Sequence, residues 1–161
     1  MKKIFVLLVA VATMFAQDAF AQEKPKTDEQ KAAAKAKREQ LMQTRLELLK
    51  TELGLNDEQL AKFDPVYRNY RHEIHRATSS NKDARIKKEN ITNENALKVV
   101  SARLANQIIT ATVKQRYLMV FAEVIEPLQV MKLYRVDDKV AREARKIMKY
   151  RETAETLDAK K

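Results

Sequence analysis

Residues 55–60 read Leu-Asn-Asp-Glu-Gln-Leu, and this segment decides how the chain folds. Asn56 can accept a hydrogen bond at the start of a helix, and the side chain of Gln59 can reach back to the backbone N–H of Asn56. Leu55 and Leu60 have the spacing of two apolar residues that pack against each other across such a start. The segment therefore predicts a helix that begins directly after Asn56.

The segments on both sides have the spacing and the composition of helices. Apolar residues recur at helical spacing over 42–53, and Gly54 follows where a left-handed residue ends a helix. A second apolar face runs over 60–74, and Pro65 within it predicts a kink. The chain of 161 residues has one glycine and three prolines, too few for several β-turns. An all-α fold follows from this composition.

Two more predicted helices make the architecture a four-helix one. Thr92 is placed to cap a third helix of about 30 residues, roughly 45 Å long. A seam of that length is too long for short neighbours to cover, so we expect a homodimer. The residues that mark the seam are Leu97, Val100, Leu104, Ile108, Ala111, Gln115, Leu118 and Ala122.

The start of the fourth helix repeats the pattern of residues 55–60. An apolar residue, a capping position, a proline at the first helical position, a glutamine and an apolar residue follow one another at the same offsets. They are Ile125, Glu126, Pro127, Gln129 and Val130.

The first residues have the three parts of a secretory signal. Lys2 and Lys3 precede an apolar stretch over residues 4–15, and small residues flank a cleavage position after Ala21. We therefore expect residues 1–21 to be a cleaved Sec signal peptide and the protein to be periplasmic. Further divisions of the chain are a flexible or solvated leader, a helical domain and a disordered tail, expected at residues 22–37, 38–152 and 153–161.

The two helix starts, LNDEQ at 55–59 and IEPLQ at 125–129, resemble the LTxxQ motif of the Spy/CpxP family of periplasmic proteins. Both copies differ from the motif at the threonine, and the second also replaces the leucine. The resemblance covers roughly residues 38–151. It implies an antiparallel dimer of long, curved helical hairpins that forms a cradle with a basic, partly apolar concave face. Members of the family include ATP-independent chaperones, envelope-stress regulators and metal-binding proteins.

A row of basic residues on the fourth helix, which we call the basic stripe, is the main candidate binding surface. The net charge of the chain is +10 at pH 7, which favours acidic or amphiphilic partners. With the resemblance, the basic stripe predicts a chaperone-like or stress-response protein that holds unfolded envelope proteins, helped by Arg68, Arg71 and Arg76. A solvated face that keeps the protein soluble is the alternative. The basic stripe consists of Lys132, Arg135, Lys139, Arg142, Lys146 and Lys149.

Two other functions remain open at this point. His72 and His75 share a helix face and could bind Zn²⁺, Ni²⁺ or Cu²⁺ in a metal sensor or buffer, or they could be two surface histidines in a basic patch. A regulatory module that docks on an envelope sensor protein is a third possibility. Peripheral contact with an anionic membrane surface is also compatible with the charge. We expect no required cofactor, no nucleic-acid partner and, because no catalytic constellation stands out, no enzyme.

Overall fold

The structure, a computed structural model, describes residues 27–158, and within this range the secondary structure is helical, with no strand. This confirms the predicted all-α, four-helix class. Residues 1–26, with the predicted signal peptide, and residues 159–161 lie outside the described residues. Two short 3₁₀ turns, Asp83–Arg85 and Lys88–Asn90, lie between the second and third helices. The four helices are α1 (Asp28–Leu53), α2 (Asp57–Ser79), α3 (Ala96–Ala122) and α4 (Pro127–Asp158).

The corner between α1 and α2 is built as the sequence predicts. The Asn56 side chain accepts a hydrogen bond from the Gln59 backbone N–H at 2.7 Å, and the Gln59 side chain accepts one from the Asn56 N–H at 3.1 Å. Gly54 ends α1 with φ 68°, in the left-handed region where residues with a Cβ are strained. Leu55 is buried, and α2 continues through Pro65 without a break.

The start of α4 lies next to this corner. Gln129 accepts a hydrogen bond from the Glu126 backbone N–H at 2.9 Å, as expected from the repeated pattern. Its side-chain nitrogen donates to the Leu53 carbonyl oxygen at 3.3 Å, and the Gln59 side chain donates to Gln129 at 3.3 Å. The two similar helix starts are therefore joined through their glutamines at one end of the bundle.

Successive helices run in opposite directions, so that α1 lies antiparallel to α4 and α2 antiparallel to α3. Lys37 pairs with Glu152 at 2.5 Å near one end of the first pair of helices, and Glu52 pairs with Lys139 at 2.9 Å near the other end. An aromatic cluster joins α2 to α3, with Phe63 and Phe121 ring centroids 5.6 Å apart. Apolar burial of this kind supplies most of the stability of a helical domain without disulfides.

Two helix boundaries differ from the expectations. The predicted cap Thr92 is wrong, because α3 begins at Ala96 and the Thr92 N–H donates to the Asn95 side chain at 2.9 Å instead. At the other end of the chain, α4 continues to Asp158 through most of the segment expected to be a disordered tail. The predicted leader is helical from Asp28 onward, and its helical residues are mostly exposed to solvent.

No helix within residues 27–158 combines the length and the apolar character needed to cross a membrane.

Candidate functional site

The basic stripe runs along the flank of α4 that lies next to α1. Lys132 is half-buried and the other five residues are exposed. Lys139 pairs with Glu52 at 2.9 Å and lowers the pKa of that carboxyl, while Lys146 pairs with Glu143 at 3.5 Å. Among the described side chains the other four residues of the basic stripe form no ion pair. Three residues of the stripe, Arg135, Arg142 and Lys149, are therefore both exposed and without an ion pair among the described side chains.

Exposed apolar side chains accompany the basic stripe on α4. Leu128 and Met131 are 72% and 61% exposed, and Arg135 follows them at helical spacing. One face of α4 therefore combines apolar surface with cationic groups. Long basic side chains also cover apolar surface with their methylene stems.

The seam predicted on α3 is exposed to solvent along most of its length. Leu97 and Ile108 are 83% and 68% exposed, and Met119 beside the end of the seam is 68% exposed. We call the exposed members of the seam, together with Met119, the apolar row. The apolar row consists of Leu97, Val100, Leu104, Ile108, Leu118 and Met119.

The opposite face of α3 packs inward because it carries the large aromatic side chains. Phe121 is fully buried and contacts Phe63 and Tyr70, while Tyr117 packs against Tyr70 with ring centroids 5.4 Å apart. The sequence Ala96–Ala122 contains no acidic residue. The outer surface of α3 therefore carries apolar and basic side chains and no acid of its own, while Asp83 and Glu73 of neighbouring segments pair with its Lys98 and Arg116.

A buried acid, Asp137 of α4, lies between α4 and α2. Asp137 is 0% exposed and accepts hydrogen bonds from the Tyr67 hydroxyl at 2.6 Å, the Tyr70 hydroxyl at 3.3 Å and the Arg71 guanidinium at 3.1 Å. Burial, followed by the negative charge of Asp137, raises the pKa of both tyrosines, so both stay neutral at ordinary pH. Burial acts to lower the pKa of Arg71, but attraction to Asp137 leads the contributions that raise it overall. This network fixes α4 against α2 in the core.

A groove beside this network brings five arginines together from three helices. Its volume is about 460 Å³, and it opens between α1, α2 and α4. Leu41 and Met42 supply apolar surface, and His72 and His75 lie at its α2 side. We call it the arginine groove. Its arginines are Arg38, Arg45, Arg68, Arg71 and Arg145.

The arginines of the arginine groove differ in how their charge is balanced. Arg68 forms two hydrogen bonds of 2.9 Å to Glu39 and also pairs with Asp64, and Arg71 pairs with Asp137. Among the described residues Arg38, Arg45 and Arg145 form no ion pair. Arg45 is only 7% exposed, and its buried Nε–H has no hydrogen-bond acceptor there. Burial, and then repulsion from Arg71, lowers the pKa of Arg45.

The α2 residues predicted to bind clients or metal fall in different surroundings. Arg68 and Arg71 are committed to the carboxylates named above, whereas Arg76 is exposed. His72 and His75 are both exposed on the arginine groove. Within the described part of the chain, no three His, Cys, Asp or Glu side chains lie close enough to hold a metal ion together. The surroundings of the two histidines are therefore dominated by arginines.

Arg38 and Arg145 of the arginine groove were not predicted as site residues, and neither were the buried Asp137 and Arg45. Asp137 and Arg45 each stand among the apolar residues of one helix face. Asp137 follows Leu133 by four residues, and Arg45 precedes Leu49 by four. A charged residue at an inward-facing position could have indicated both of them in the sequence, because charged residues are rarely buried without a partner.

Comparisons of the chain with protein families, with characterised proteins and with solved structures find no match.

Proposed function

We propose that the protein is a chaperone-like binding protein of the bacterial envelope that holds unfolded clients without ATP. The observation that carries this proposal is the apolar row, whose exposed large side chains lie four along the first half of α3 and two near its end, on a helix without acids. Exposed apolar patches of this kind mark interaction sites on soluble proteins. The signal-like pattern of residues 1–21 supports an envelope location, and the resemblance to the Spy/CpxP family supports the function.

The client class follows from the chemistry of the two surfaces. Unfolded chains present apolar segments among charged residues, and the apolar row offers non-directional contact for the apolar segments. The basic stripe adds long-range attraction for acidic segments, which speeds encounter at low ionic strength. Flexible lysine and arginine side chains accommodate many sequences without a fixed geometry. The clients are therefore unfolded polypeptides with apolar and acidic segments.

A holdase assay tests the apolar row directly. The purified protein, without ATP, should suppress aggregation of a chemically reduced acidic client at a near-stoichiometric ratio. Changing Leu104→Ser and Ile108→Ser together removes about 1.5–3 kcal/mol of apolar contact per residue, so client affinity should fall at least tenfold. The matched control changes two exposed apolar residues of α4 outside the row, Tyr150→Ser and Leu157→Ser, which should leave suppression unchanged.

The basic stripe is tested by charge reversal at positions without an ion pair. Arg135→Glu, Arg142→Glu and Lys149→Glu together should slow client capture and remove most of its dependence on salt. The control set makes the same change of charge in the connection between α2 and α3, at Lys82, Lys87 and Lys88, which are exposed. Equal slowing by both sets would show that only net charge matters. An absence of any suppression by the unaltered protein would end the chaperone proposal.

A second copy of the chain is the other occupant that the apolar row would accept, in the homodimer expected from its length. Light scattering on the same serine variants separates the two cases. If the unaltered protein is a dimer, and the variants are monomers that still hold clients, the row is the dimer interface and the basic stripe alone binds clients. If the mass is unchanged and suppression is lost, the row binds clients.

Metal binding has weaker support than client binding. Titration calorimetry with Zn²⁺, Ni²⁺ and Cu²⁺ tests it, and tight binding lost on His72→Ala would favour the metal sensor or buffer. Docking on an envelope sensor protein, the third function, would be revealed by its co-purification from envelope extracts.

A further inference from the structure

The arginine groove contains more positive charge than the surrounding acids balance. Three carboxylates, those of Glu39, Asp64 and Asp137, pair with two of its five arginines. The charges of Arg71 and Arg145 lie near that of Arg45, and after burial their repulsion acts to lower the pKa of Arg45. Arg45 is buried and Arg71 is half-buried, whereas Arg145 is exposed. Like charges at reduced exposure repel each other more strongly than they would in water, so the repulsion is strongest between Arg45 and Arg71.

Arg45 gives the clearest indication that something is missing from this arrangement. Its side chain is more than nine-tenths buried, it lines the arginine groove, and its Nε–H has no acceptor among the described residues. Buried charges are almost always paired, because a buried ion without a partner is strongly unfavourable. An apolar residue at this position would avoid that penalty, so the fold itself does not require an arginine here.

We propose that the arginine groove binds a small organic anion through its carboxylate or phosphate group, with Arg45 and Arg145 as the principal ligands. The guanidinium group presents its N–H donors in a planar fork that matches both kinds of oxyanion in pairs. A bound oxyanion supplies the missing acceptor for Arg45 and offsets the repulsion among the three neighbouring arginines.

The remaining surface of the groove indicates what the anion carries. Leu41 and Met42 line the groove on the α1 side and are half-buried, so apolar surface lies within reach of the arginines. A short apolar chain attached to the anionic group would cover that surface and gain from its removal from water. The preferred ligand is therefore an amphiphilic oxyanion rather than a free inorganic ion.

The experiment is titration calorimetry of the whole protein at low ionic strength with three probes: inorganic phosphate, acetate and octanoate. Saturable binding with octanoate tighter than acetate is the expected result and identifies a carboxylate with an apolar chain. Phosphate tighter than both would assign the groove to a phosphate group instead. If none of the three probes shows saturable binding up to concentrations on the order of 1 mM, the proposal is wrong.

Two variants make the test specific to the arginine groove. Arg45→Met keeps the length of the side chain and removes its charge, and it should weaken binding at least tenfold while raising Tm, because a buried unpaired charge is lost. Arg145→Ala should weaken binding by a similar factor. The control Arg142→Met lies on α4 at an exposed position outside the groove and should leave affinity within twofold. If all three variants weaken binding equally, the anions are attracted only by net charge and the proposal is wrong.

This inference is independent of the proposed holdase function. Arg45 and Arg145 belong neither to the apolar row nor to the basic stripe. Arg45→Met and Arg145→Ala should therefore leave the suppression of client aggregation unchanged. If the anions do not bind, the chaperone proposal is unaffected. If the protein does not suppress aggregation, the anion-binding proposal is unaffected.

Discussion

The buried acid of α4 offers the sharpest test of the core, through the change Asp137→Asn. The amide keeps the size of the side chain and can still accept a hydrogen bond from Tyr67, but the negative charge is lost. Arg71, which pairs with the carboxylate at 3.1 Å, then loses its partner, and the buried Arg45, which forms no ion pair, loses the attraction of a nearby negative charge. Removing one partner of a buried charge pair is unfavourable by about 3–5 kcal/mol.

That loss is large for a domain of this size. Small domains unfold with a free energy of about 5–15 kcal/mol, so the variant should remain folded in the cold. A loss of 1 kcal/mol lowers Tm by roughly 3–5 °C in a domain of 100 to 150 residues, so a loss of about 3–5 kcal/mol gives a decrease of about 9–25 °C here. Urea unfolding followed by circular dichroism at 10 °C measures the free energy, and a thermal scan measures Tm. The neighbouring exposed Asp138→Asn is the matched control and should change stability by about 0.5 kcal/mol or less.

Combination with Arg45→Met shows whether charge is the cause. If Asp137 offsets the positive charge of Arg45, the loss caused by Asp137→Asn should be smaller by about 0.5–3 kcal/mol in a chain that already carries methionine at that position. A loss below about 1 kcal/mol for Asp137→Asn in the unaltered chain would refute the reasoning. The reasoning would also be refuted if Asp137→Asn caused the same loss of stability in the unaltered chain and in the chain that carries Arg45→Met.

Further predictions concern the corner, the buried tyrosines and the glutamine that joins the helix starts. Gly54→Ala should destabilise by about 1–2 kcal/mol in urea unfolding, because φ 68° is unfavourable for a residue with a Cβ, and Gly54→Asn should be milder. Because burial raises the pKa of Tyr67 and Tyr70 above the ordinary 10.0, the unfolded chain releases these protons first as the pH rises. The free energy of unfolding should then fall above pH 10 by about 1.4 kcal/mol per pH unit for each tyrosine. Tyr67→Phe should remove one of these two contributions, and an unchanged dependence of stability on pH in that variant would contradict the prediction. Gln129→Ala should reduce the free energy of unfolding by about 1–2 kcal/mol, whereas the exposed Gln115→Ala should not, and equal effects would show that its hydrogen bonds contribute nothing.

The helix starts could be predicted from the sequence because the interactions that fix them are local. Asn56 and Gln59 are three residues apart and exchange their hydrogen bonds within one helical turn. The start of α3 shows where this reasoning ends. Thr92 and Asn95 both have side chains that can cap a helix, and the Asn95 side chain accepts a hydrogen bond from the Thr92 N–H. Capping preferences alone do not show which of the two residues precedes the first turn of the helix.

The candidate sites depended on packing between distant segments, which the sequence does not show. Apolar residues occupy both sides of α3, and the side that turns inward is set by the aromatic residues of α2 against Phe121. The basic stripe was predicted because its spacing is regular along one helix. The arginine groove was not, because its residues come from three helices and its distinctive member, Arg45, lies within an apolar face of α1.

The hydrogen bonds of Gln129 have a mechanical consequence for the bundle. They join the end of α1, the start of α2 and the start of α4 at one pole, where both short connections also lie. The opposite pole holds the exposed first turns of α1, the last turns of α4 and the longer connection between α2 and α3. Thermal bending of the helices should therefore grow in amplitude away from the glutamines, and amide hydrogen exchange should quicken in that direction. The arginine groove is lined by residues from the part of α1 and α2 that lies away from the glutamines, so exchange should be faster around the groove than around Phe63 and Phe121 in the aromatic cluster.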